Sequence, residues 1–95
     1  MTINIDDKNY RKYLNAAETV LKNHFRSNIY SFDGITDCAV CLVQDEKGWN
    51  VYLKERNAIS NLVTHMDIVD AIIDMINRIS GREAEIIKSE FYNLL

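Results

Sequence analysis

Apolar residues recur along this chain with two different periods, and each change of period marks the end of an element. From about Asp7 to Phe25, the residues Tyr10, Tyr13, Leu14, Ala17, Val20, Leu21, His24 and Phe25 return every three or four positions. That spacing puts them on one face of a helix. Asp6 is predicted to cap it, its carboxylate accepting a hydrogen bond from a first-turn N–H. Then the period falls towards two. The stretches "NIYSF", "ITDCAVCLVQ" and "WNVYLKE" read as strands. Between the first two, Asp33-Gly34 predicts a two-residue hairpin turn, since both central positions of such a turn need positive φ. Between the second and third, "DEKG" predicts a type I turn ending on Gly48. Along the third strand Trp49, Val51 and Leu53 take one face, and Asn50, Tyr52 and Lys54 the other. The next segment, "NAISNLV", from Asn57 to Val63, fits a loop, a short fourth strand or an early helical turn.

The helical period returns at "THMD", which has the form of a capping box with Thr64 as N-cap and Asp67 three residues on. A second helix is predicted from there to about Ile79. Its apolar residues, Met66 to Ile79, cover about half its circumference, so it is expected to be packed from two sides. "SGRE" repeats the capping pattern with Ser80 and Glu83, and predicts a third helix to about Asn93. A strand is the alternative for "EIIKSEFY", but its apolar spacing of three and four favours a helix. The expected architecture is α+β. It is a single domain over residues 1–95, with an N-terminal helix, a three-stranded antiparallel meander and two C-terminal helices.

Composition narrows the function. Ninety-five residues, 47% hydrophobic and 26% charged, suit one globular core. A net charge of −3 lacks the basic footprint of direct nucleic-acid binding and suits a basic partner. No apolar run approaches the ~20 residues of a membrane span. The sequence from Met1 to Tyr10 has no secretory-signal pattern, so a cytoplasmic protein with reduced cysteines is expected.

The spacing of Cys38 and Cys41 is one that metal and redox sites use. In a strand, however, residues three apart point to opposite faces, where two thiolates cannot share a metal or close a disulfide. Both are therefore expected to be structural, with no metal and no cofactor. His24 is expected at the edge of the core and His65 in the first turn of the second helix. No phosphate loop, nucleophile elbow or zinc-protease motif is present. A cysteine–histidine enzyme is thus the weakest of the functional classes, and no catalytic residue is assigned.

The candidate binding residues are Asp67, Asp70 and Asp74, at i, i+3 and i+7 on one helix face, with Tyr52 as an aromatic anchor. The plainer reading is a solvated face, with Asp67 favouring the helix N-terminus and Asp74 paired to Arg78 at i+4. The sharper reading is a surface that steers a cationic protein. In size, acidity and α+β pattern the chain resembles the immunity proteins of bacterial contact-dependent inhibition systems. That resemblance implies a basic, nuclease-type toxin domain bound one to one by a monomer. The order of helix, strands and helices is also similar to type III secretion chaperones, which implies an adaptor acting as a homodimer.

Overall fold

The computed structural model describes residues 7–56 and 58–95. The predicted cap at Asp6 and Asn57, the first residue of the segment left open between loop, strand and helical turn, lie outside them. The first helix, α1, spans Asp7–His24. Its predicted stripe faces inward: Ala17, Val20 and Leu21 are buried, and Tyr10, Tyr13, Leu14 and Phe25 pack partly buried against them. His24, in the last turn, is exposed and meets Glu90 through Nε2 at 2.9 Å.

Four strands follow, β1 (Tyr30–Ser31), β2 (Ala39–Asp45), β3 (Gly48–Glu55) and β4 (Ala58–His65), in the sheet order β1-β2-β3-β4. The sheet is mixed, which corrects the expected three-stranded antiparallel meander. The two-residue β1 runs parallel to β2, with Tyr30 opposite Val40, so Asp33-Gly34 is not a hairpin turn. Side chains compete here with a strand ladder. Ser31 Oγ donates to Asp33 Oδ1 at 2.6 Å and accepts from the N–H groups of Asp33 and Gly34, both at 3.2 Å. Asp33 Oδ1 also accepts from the N–H of Ile35 at 2.9 Å. These bonds curl the chain off the sheet edge. Lys54 Nζ then holds the returning segment, donating to the Ile35 carbonyl at 3.2 Å and to Asp37 at 2.7 Å. Cys38, at φ 58°, turns the chain into β2.

The β2–β3 hairpin forms as predicted, Asp45 pairing with Gly48 while its carboxylate accepts from the N–H groups of Lys47 and Gly48. The segment after Asn57 is strand β4, antiparallel to β3, with a register shift opposite Val51–Leu53. Asn61 has φ 55° there, a value that a β-branched residue would not tolerate.

The expected Thr64 cap is also corrected. Thr64 lies within β4 opposite Asn50, and its hydroxyl donates to Asn50 Oδ1 at 2.6 Å. A β-branched residue fits that pleated position. The cap is Asp67, whose carboxylate accepts from the Val69 N–H at 2.7 Å, and α2 runs Ile68–Ser80. Ser80 itself keeps helical backbone angles and makes no capping bond. The predicted break between two separate C-terminal helices is therefore a bend. Helical residues run from 68 to 93 without a loop, through a 3-10 turn at Gly81–Glu83 and α3 at Ala84–Asn93. Gly81, at φ 56° and ψ −115°, redirects the chain, and α3 returns along α2.

All three helices lie on one side of the sheet. α2 crosses it, and α1 and α3 pack on α2 and on each other. Leu42, Trp49 and Val51 meet Ala71, Ile72, Met75 and Ile76 of α2, with Leu21, Ile87 and Phe91 completing the core. On the far side of the sheet a smaller cluster, Ala39, Cys41 and Tyr52, packs with Val43. The 32–38 segment covers it: a Cβ on Gly34 would stand 2.8 Å from the Tyr52 hydroxyl.

Candidate functional site

The four predicted binding residues do not form one surface. Asp67 is exposed but committed to capping α2. Asp70 stands exposed in the first turn of α2. Asp74 lies between α2 and β4. Its Oδ2 meets His65 Nε2 at 2.7 Å, and Arg78 donates to it from Nε at 2.8 Å and Nη2 at 3.3 Å. Burial alone would raise the Asp74 pKa, but the bonds from Arg78 and His65, and their charge, leave it lowered. His65 is thus at the end of β4, not in the first turn of a helix, and ties the sheet to α2. Tyr52 is buried beside Cys41 on the far face of the sheet, and burial raises its pKa.

The cysteines part further than a shared strand requires. Cys38 is exposed in the turn before β2, and Cys41 is fully buried; both are free thiols. Burial is the main cause that raises the Cys41 pKa, which opposes thiolate formation. Among the described residues no group of three or more His, Cys, Asp or Glu side chains could hold a metal ion. No described helix is long and apolar enough to cross a membrane.

Charge is distributed unevenly between the sheet and the C-terminal helices. Residues 1–66 hold eight basic and eight acidic side chains, and residues 67–95 hold three and six. The whole net charge of −3 therefore belongs to the segment that forms α2, the 3-10 turn and α3. Between the two helices runs a surface groove of about 370 Å³, lined by Ile73, Glu85, Lys88, Ser89, Tyr92 and Asn93. Glu85 is held at its rim by Lys88, 2.7 Å away, and Tyr92 and Ile86 are exposed on the same helix. An exposed aromatic side chain in a shallow groove is a feature that protein-docking surfaces share. Sequence reasoning passed over Glu85 and Ile86; counting charges segment by segment would have pointed to Glu85, while nothing local marks Ile86 as exposed.

A second exposed feature is the edge of the sheet. Among the described residues β4 has one hydrogen-bonded neighbour, β3. Ile59 is 55% exposed, Leu62 53% and Val63 43%, and Met66 just beyond is 81% exposed. Compared with family models, curated proteins and solved structures, the chain matches none.

Proposed function

We propose that this chain is a small acidic protein-binding inhibitor, of the immunity type, that works in the cytoplasm. Its partner is a basic, nuclease-type toxin domain, bound one per chain over its active site. The reading is carried by the confinement of the net charge of −3 to residues 67–95. A nuclease site is cationic because its substrate is a polyanion. Carboxylates on a rigid helical pair can steer such a site and occupy the place of phosphate. Asp70 and Glu85 are the carboxylates that meet the partner. Ile86 and Tyr92 supply the apolar contact, and Asp74 keeps α2 seated on β4.

The test compares the wild-type chain with an Asp70→Lys/Glu85→Lys variant as baits in lysate at low salt. The expected result is a cationic domain that wild type retains, whose activity falls to zero at one equivalent of inhibitor. Its association rate should drop at least about tenfold in the variant. Capture and inhibition that survive charge reversal unchanged would sink the reading.

A further inference from the structure

We propose that two copies of this chain pair antiparallel through β4, joining their sheets into one of eight strands with all helices on one face. Among the described residues β4 has no neighbour along one edge, so its outward N–H and C=O groups are available to another strand. Edge strands of monomers are guarded by charged residues, proline or bulges, and of these β4 has only the bulge. From Ala58 to His65 there is no Asp, Glu, Lys, Arg or Pro, while Ile59, Leu62 and Val63 are exposed. Two acidic chains can therefore meet at β4 without bringing like charges together.

The register follows from the bulge. In β4, Ser60 and Val63 lie opposite Leu53 and Val51, on the helix side of the sheet, while Ile59 and Thr64 lie opposite Lys54 and Asn50, on the far side. The extra residue at Asn61–Leu62 shifts the alternation between the two halves of the strand. An antiparallel pairing centred there sets Ile59 against the partner's Thr64, Ser60 against the partner's Val63, and Ala58 against the partner's His65. Every pair then shares a face, and the irregular residues meet on the two-fold axis.

Backbone direction agrees. The two-residue connections leave Glu55 opposite Ala58 and Asp45 opposite Gly48 as closing pairs. Counting alternately along the ladders, Ile59 and Thr64 are the residues whose N–H and C=O point away from β3. Those are the two that this register brings together. The same register sets Arg56, exposed at the hairpin tip, beside the partner's Asp67, exposed at the start of α2, once on each side of the axis. A parallel pairing would set like charges together at both ends. The α2–α3 groove is not used, so dimerisation is independent of the inhibitor role.

The mass of the full chain is measured by sedimentation velocity across micromolar concentrations. A dimer is expected, with Ile59→Lys weakening it at least about tenfold while the circular dichroism spectrum is unchanged. Register is tested in a Cys38→Ser background. Mild oxidation of an Ile59→Cys/Thr64→Cys variant should give interchain disulfide dimers, since directly paired Cα atoms lie about 5.5 Å apart. An Ile59→Cys/Val63→Cys variant should not. A monomer at all concentrations would overturn the proposal, and so would a dimer that ignores Ile59→Lys or cross-links equally in both cysteine pairs.

Discussion

Asp74 is where α2 is fastened to the sheet, and Asp74→Asn tests that directly. The substitution keeps the side chain's shape and removes its charge. Each side chain of the His65–Asp74–Arg78 set is about one-fifth exposed. Arg78 already carries a buried Nη1 with no hydrogen-bond partner among the described residues. Without the carboxylate its charge is left uncompensated. Breaking a fully buried pair costs about 3–5 kcal/mol. With a fifth of each group in water, we expect about 2–3 kcal/mol. For a chain of this size a urea slope of about 1–1.5 kcal/mol/M converts that to a midpoint lower by about 2 M at pH 7. The pH dependence has a definite sign. The folded pKa of Asp74 is lowered, so the folded chain binds fewer protons there than the unfolded one. Its contribution is complete above the unfolded carboxylate value, about 3.9, and is lost as pH falls through the folded value. The gap between wild type and variant should therefore shrink between pH 5 and pH 3. A gap under about 0.5 kcal/mol at pH 7, or one that persists undiminished at pH 3, would show that the His65–Asp74–Arg78 set does not anchor the helix.

Three further outcomes follow from the packing. Phe91→Ala should cost about 3–5 kcal/mol in urea unfolding, because the ring is fully buried and fastens α3 to the core. Gly48→Ala should destabilise by at least about 1–3 kcal/mol by the same measurement. A Cβ there would stand 2.5 Å from the His65 carbonyl oxygen of the paired strand, at φ 148°. A thiol reagent followed by mass spectrometry should label Cys38 rapidly in the native chain and Cys41 far more slowly, with fast labelling of both only after denaturation, because Cys41 is buried and its pKa is raised.

Local signals in the sequence carried the elements whose bonds are local. The α1 stripe, the Asp45–Gly48 turn and the facing of Trp49 and Val51 are set within a few residues, and all could be read. Asp33-Gly34 misled because the same two residues serve a hairpin or a side-chain-bonded curl. Lys54, nineteen residues from Ile35 and seventeen from Asp37, helps hold the curl. "THMD" misled because Thr64 satisfies its hydroxyl across the sheet on Asn50, a partner that no local pattern names. The Asp74–Arg78 pair was legible at i+4, whereas its link to His65 depends on how α2 crosses β4. The helical period gave no sign that α3 folds back, so the groove with Ile73 and Tyr92 emerged only in three dimensions.

The 32–38 segment has a consequence for how the native state breathes. It covers the Ala39, Cys41 and Tyr52 cluster on the far face of the sheet, yet it is held there by the two paired residues of β1 and the bonds from Lys54. Such a segment can open as a unit of its own, well below the free energy of global unfolding. Lifting it would bare Cys41 while leaving the helices seated on the other face. The thiol is thus a built-in clock. When reclosing is fast, its slow labelling rate in the native chain measures the population of the lifted state. Its dependence on urea would show whether the sheet's two faces come apart together or one at a time.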